Sequence, residues 1–168
     1  MTPPTLHSKR HTSVLCHAAL ATAAAALLCH AALAQTVQVQ NAWVRATVQG
    51  QTASGAFMQL SSPTAMWLKS VSTPVAGVTQ VHAMRMEGDI MKMQALENAL
   101  ELPAGKTVEL KPGGYHVMLM DLKMALKKDS SIPMTLVFVD AKGMETKTEL
   151  KVPVSTSAPM APMHSGEH

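Results

Sequence analysis

The chain has 168 residues, with 14 Lys and Arg against 11 Asp and Glu and a formal net charge of +3. Hydrophobic residues make up 47%, which excludes a disordered chain, and the length fits one domain. Aromatic residues are only 3%, too few for a stacking surface that reads nucleic acid, whereas there are 14 Met.

Residues 1–34 read as a secretory signal peptide. Lys9 and Arg10 form the positive start, an uncharged Ala- and Leu-rich run follows, and Ala32, Leu33 and Ala34 give an A-x-A cleavage site before Gln35. An uncleaved anchor is the alternative. Cys16 and Cys29 each follow a Leu, where a lipobox needs a small residue, so a plain cleavable leader is expected. Cleavage removes 34 of the 168 residues, leaving 134, and takes Lys9 and Arg10 but no acid, so the net charge falls to +1. Both Cys leave as well, and 13 Met remain. The mature protein thus enters the periplasm, where disulfides are normal, without a thiol.

The body reads as β throughout. Residues 37–44 alternate apolar and polar, as a half-buried strand does. Residues 56–60 and 67–71 follow, with a turn around Pro63. Residues 78–86 and 90–95 flank Glu87, Gly88 and Asp89 as a hairpin. Further strands are expected at 107–110, 115–120, 134–139 and 145–152, the last two joined by a turn at 140–143. Residues 122–128 fit either one helical turn or a loop. Short strands at close intervals argue for an all-β antiparallel sandwich or barrel. From residue 155 on, small residues, two Pro and no periodicity indicate a disordered tail holding Met160, Met163, His164 and His168.

The two body histidines both sit among methionines. If the hairpin turns at Glu87 and Gly88, Met86 pairs with Asp89, Met84 with Met91, and His82 with Met93. Alternation then puts His82, Met84, Met86, Met91 and Met93 on one face, with Arg85 and Lys92 on the other. His116 and Met118 share a face of another strand by the same rule. Thioethers are soft, neutral ligands that favour Cu(I), and imidazole also suits copper, whereas zinc prefers thiolate, imidazole and carboxylate. Packing is the competing explanation for Met, and a core or loop role is the reading for Met58, Met66, Met134 and Met144.

At this level of detail the chain resembles the periplasmic copper chaperone family PCu(A)C, whose pattern is His, ten residues, Met, about twenty-one residues, then His-x-Met. Here His82 and Met93 enclose residues 83–92, Met93 and His116 enclose residues 94–115, one more than the pattern, and His116, Val117 and Met118 close it. The Leu110, Lys111, Pro112, Gly113, Gly114, Tyr115 run before His116 adds context, and the likeness covers about 37–152. The resemblance implies a cupredoxin-like Greek-key β-sandwich over 35–154. It also implies a single Cu(I) held by His82, Met93, His116 and Met118; Met84, which shares their face by alternation, is the substitute if Met93 is not the ligand. Delivery of copper to the dinuclear copper centre of a respiratory oxidase is part of the same implication. The tail offers a second copper site at Met160, Met163, His164 and His168, taking Cu(II) through imidazole; a solvated terminus is the alternative.

Three functions remain open at the level of sequence. A chaperone that passes copper on and a scavenger or resistance protein that retains it need the same site. A sandwich whose Met face grips an apolar partner needs no metal. The body lacks a Ser/His/Asp set and a Cys nucleophile, so no enzyme is expected. A monomer without a membrane span after cleavage, and without nucleic acid as partner, completes the expectation.

Overall fold

A computed structural model describes residues 37–158. The leader expected at 1–34 and the tail residues Met160, Met163, His164 and His168 lie outside the described residues. Alternating side chains and frequent turn residues produce ten strands: β1 (Gln38–Arg45), β2 (Ala53–Ser61), β3 (Met66–Ser72), β4 (Ala76–Glu87), β5 (Ile90–Ala95), β6 (Leu100–Leu102), β7 (Thr107–Leu110), β8 (His116–Leu122), β9 (Ser131–Asp140) and β10 (Glu145–Ser155). Among the described residues there is no helix, and none long and apolar enough to cross a membrane.

The strands pair in the order β5-β4-β8-β2-β1-β10-β9-β3-β6, with β7 also on β2. Neighbours that are distant in sequence, such as β2 with β8 and β1 with β10, make the connections cross over rather than meander. All pairings are antiparallel except β1 with β10, which is parallel at Val44 and Arg45. That single parallel pair departs from the purely antiparallel expectation. It arises because β10 is long enough to pair with β9 over residues 145–153 and still reach β1 with its last residues. β10 thus runs through Ser155, one residue past the expected end of the sandwich.

The core lies between the two halves of this strand path. Val44, Ala56, Met58, Leu60, Val117 and Leu119 come from one half; Met66, Leu68, Met134, Leu136 and Phe138 come from the other. Each fully buried aliphatic or aromatic side chain here is worth about 1.5–3 kcal/mol relative to exposure. Met58, Met66 and Met134 pack in this core, and Met144 lies exposed outside it, as the core-or-loop reading expects.

Of residues 122–128, Leu122 ends β8 and the rest form a loop. It is pinned where Thr47 Oγ1 accepts the Leu126 N–H at 2.8 Å and Leu126 O accepts the Thr47 N–H at 2.9 Å, which lets Leu126 drop into the core. β6 has no counterpart in the sequence reading, because three residues carry too little alternation to stand out.

The outer face of β4, β5 and β8 carries the site. Val81 and Ala83 of β4 and Val117 of β8 turn inward, so their neighbours His82 and His116 turn outward. β4 and β8 stay paired from Ala76 opposite Leu122 as far as His82 opposite His116. Past that point β4 keeps one more bond, from the Met84 N–H to the Gly114 carbonyl oxygen at 3.3 Å, and β4 and β5 then continue as a two-stranded ribbon ending at Gly88 and Asp89.

Candidate metal centre

The ribbon's register corrects the pairing expected from sequence. Glu87 lies opposite Ile90, Met86 opposite Met91, Met84 opposite Met93, and His82 opposite Ala95. The turn is therefore the pair Gly88 and Asp89. Gly88 has φ of +63°, and a two-residue hairpin of type II′ needs such a residue at its first central position. The expected turn at Glu87 and Gly88 would have put Glu87 at that position, where a Cβ is unfavourable. The slip preserves the alternation, so His82, Met84, Met86, Met91 and Met93 still share one face.

Two strands bring the histidines together. His82 and His116 are directly opposed, with ring centroids 5.9 Å apart. Both are buried. Across β2 and β1 the same row continues through Phe57, 6.4 Å from the His116 ring, to Trp43, 4.6 Å from Phe57. Arg45 lies 5.4 Å over the Phe57 ring. These rings wall one side of the histidine pair with apolar surface, which keeps water off it.

The hydrogen bonds fix how each imidazole presents its nitrogens. His116 Nδ1 lies 3.0 Å from the Gly114 carbonyl oxygen, which can only accept, so Nδ1 carries the proton. In a neutral ring Nε2 is then a bare lone pair, and it faces Met93 Sδ at 3.1 Å. Two lone-pair atoms this close, with no proton between them, form a pair of donors for a soft cation. His82 Nε2 sits 3.2 Å from Gln80 Oε1, and its Nδ1 is buried with no partner. Burial, reinforced by the nearby His116, holds His82 below the ordinary histidine range, which keeps its ring neutral and able to donate a lone pair.

The methionines surround this pair unequally. Met93 is 48% exposed and reaches His116 from β5. Met118 follows two residues after His116 on β8, on the same face and half-buried, opposite Gln80 on one side and Gly55 on the other. Gly55 leaves room there for Phe57, because a Cβ at Gly55 would stand 2.9 Å from Phe57 Cζ. Met84 is half-buried opposite Met93. The structure thus brings His82, His116 and Met93 together, places Met118 beside them on one face, and leaves Met84 one pair further out.

Sequence reasoning missed the two residues that orient the rings, Gln80 and Gly114. Gln80 had a signal, since it lies two residues before His82 and therefore on its face. The Gly114 carbonyl had none, because its direction depends on the turn before β8.

No group of three or more His, Cys, Asp or Glu gathers among the described residues. A centre built on hard or borderline ligands alone is therefore absent there. The donor set that does gather is two imidazoles with thioethers, which fits a soft monovalent ion.

Comparison with known proteins bears on the fold and the family. Residues 37–154 match the family described as "Putative lipoprotein LpqE-like". One curated relative, "Putative lipoprotein Lxx21020" of Leifsonia xyli subsp. xyli, is 37% identical over 108 residues, which span 64% of each protein. Among solved structures, the copper-bound PCuAC domain from PmoF2 has 26% identity and a TM-score of 0.55, covering 73% of this chain and 93% of that domain. The solution structure of CuI-DR1885 from Deinococcus radiodurans has 28% identity and a TM-score of 0.56, covering 78% of this chain and 86% of that one. The all-β, cupredoxin-like architecture is common to these domains and to this protein. With a family match that runs from β1 into β10, the chain belongs to the LpqE-like family.

Proposed function

We propose that this protein is a periplasmic copper chaperone that holds one Cu(I) through His82, Met93, His116 and Met118 and passes it to the dinuclear copper centre of a respiratory oxidase. The observation that carries this reading is His116 Nε2 facing Met93 Sδ at 3.1 Å, with Nδ1 of the same ring held on the Gly114 carbonyl oxygen. Similarity to the copper-bound PmoF2 domain and to CuI-DR1885 supports copper as the ion. The leader-like segment at 1–34 and the lipoprotein names in the family support export, although Leu15 and Leu28 before the two Cys depart from a lipobox.

The chemistry is ligand exchange and involves no catalysed reaction. The protein supplies preoriented soft donors on an outer face, close enough to the surface for an acceptor's ligands to replace them one at a time. Nδ1 of His116 stays bonded to Gly114 throughout, so the ring keeps its orientation as the ion arrives and leaves.

Anaerobic titration of the mature protein with Cu(I), followed by mixing with an apo oxidase copper domain, tests both halves of the proposal. One tight equivalent that resists displacement by Zn(II), and that then moves to the acceptor, is the expected result. Tight binding with no transfer would instead indicate scavenging, and no tight equivalent would leave a Met-faced protein-binding module.

The tail enters this proposal as an auxiliary Cu(II) collector through His164 and His168, aided by Met160 and Met163. Because Ser155 pairs with Arg45, truncation should follow Ala158 and not Val154. The shortened chain is expected to keep its Cu(I) equivalent and lose Cu(II) binding in separate titrations of the two oxidation states. Unchanged Cu(II) stoichiometry would show the tail to be a solvated end.

A further inference from the structure

Four thioethers stand on the outer face of the β4–β5 ribbon, and the proposed centre uses only one of them. Met84 opposes Met93, and Met86 opposes Met91. Directly opposed residues have Cβ atoms roughly 4.5–5.5 Å apart, and the next pair along the same face is about 7 Å further on. A methionine side chain is long and flexible enough to span such gaps. The strand pairing of β8 with β4 ends at His82 and His116, and beyond the Met84 N–H on the Gly114 carbonyl oxygen at 3.3 Å the ribbon has only its own two strands. Packing therefore does not account for Met86 and Met91, which are 61% and 51% exposed, and Met84 is half-buried between them and the histidines. The opposite face carries Arg85, Glu87 and Lys92, with Lys92 Nζ 2.6 Å from Glu87 Oε2, and one exposed apolar side chain, Ile90, where the methionine face carries thioethers throughout.

We infer that Met84, Met86 and Met91 form a second, outer Cu(I) station that loads the inner centre. Three neutral thioethers make a soft trigonal donor set without imidazole, weaker than the inner mixed set and selective for Cu(I). Met93 stands between the two, opposite Met84 and against His116, so it can exchange the ion between them. An ion entering at the ribbon tip moves inward by replacing one thioether at a time and ends where imidazole is available. It remains Cu(I) throughout, and no electron or proton needs another source. This inference rests on the reading that His82, Met93, His116 and Met118 hold Cu(I).

The test is anaerobic titration of the full mature chain with Cu(I) supplied by a chromophoric chelator, comparing wild type, M84I/M86I/M91I and M93I/M118I. Isoleucine suits exposed strand positions, so the triple variant should fold, which circular dichroism checks. All three chains carry the same tail, so its contribution cancels in the differences. The triple variant is expected to lose one weaker Cu(I) equivalent, keep the tight one, and load it more slowly. Wild-type stoichiometry and loading rate in the triple variant would overturn the outer station and leave the inner centre standing. A tight step that survives in M93I/M118I would overturn the inner assignment, and the triple variant would still decide the outer one. No Cu(I) on the body of any chain would overturn both and leave the ribbon as an apolar docking surface.

Discussion

Replacing Met93 and Met118 together by Ile should abolish tight Cu(I) binding while leaving the fold intact. Both changes nearly conserve volume and apolarity, and such swaps usually cost less than about 1.5 kcal/mol. Met93 is also half-exposed, so little packing depends on it. Copper affinity responds quite differently, because half of the proposed ligands disappear. Losing an outer-shell partner of a metal ligand typically costs about 10–100-fold in affinity, and losing two ligands should cost more than that. The remaining donors are two imidazoles, so the residual preference should move away from Cu(I). Chelator competition measures the first effect, and the denaturation midpoint measures the second. Unchanged Cu(I) affinity in the double variant would remove both methionines from the ligand set.

The largest expected loss of stability comes from Phe138→Ala. Phe138 is fully buried on β9 and faces the other half of the sandwich. Truncation removes a large apolar surface and leaves a cavity, which together cost about 3–5 kcal/mol. That is a large share of the about 5–15 kcal/mol that holds a typical domain together. Urea denaturation should show the midpoint falling sharply. Cu(I) affinity of the folded fraction should be unaffected, because the ligands lie on the opposite face of the other half. A midpoint within experimental error of wild type would mean that the core is not organised around Phe138.

Most strands were legible because the alternation is strong wherever one face is buried. In β9, Ile132, Met134, Leu136 and Phe138 turn inward, and the intervening positions are partly or fully exposed. Bounds fell short by one to three residues at ends where pairing, not hydrophobicity, extends the strand. β10 is an example, prolonged by its parallel contact with β1. The hairpin register was illegible at two-residue precision, because hydrophobic alternation is insensitive to a slip of two. Only the backbone demand at Gly88 decides it.

The site was legible in its residue types and in its sharing of one face. His82 and His116 are four strands apart in sequence order but neighbours in space, and only the crossover of β8 between β4 and β2 makes them so. Sequence spacing hinted at their partnership through a family resemblance; local periodicity carried no information about it. Trp43 and Phe57 were equally hard to read. They occupy the outer face yet are buried, 5% and 4% exposed; alternation from Ala56 assigns Phe57 to solvent, and only the irregularity between Gln40 and Trp43 takes Trp43 off the inward face of Val37 and Val39. Their burial makes sense only as the continuation of the histidine row.

X-ray absorption at the copper edge, on the mature protein loaded with one equivalent of Cu(I), tests the central claim most directly. A shell of two imidazole nitrogens and two thioether sulfurs is the predicted result. Its nitrogen component should diminish in His116→Gln and its sulfur component in Met93→Ile. A shell of nitrogen and oxygen alone, or one that neither substitution alters, would contradict the assignment of copper to the outer face of β4, β5 and β8.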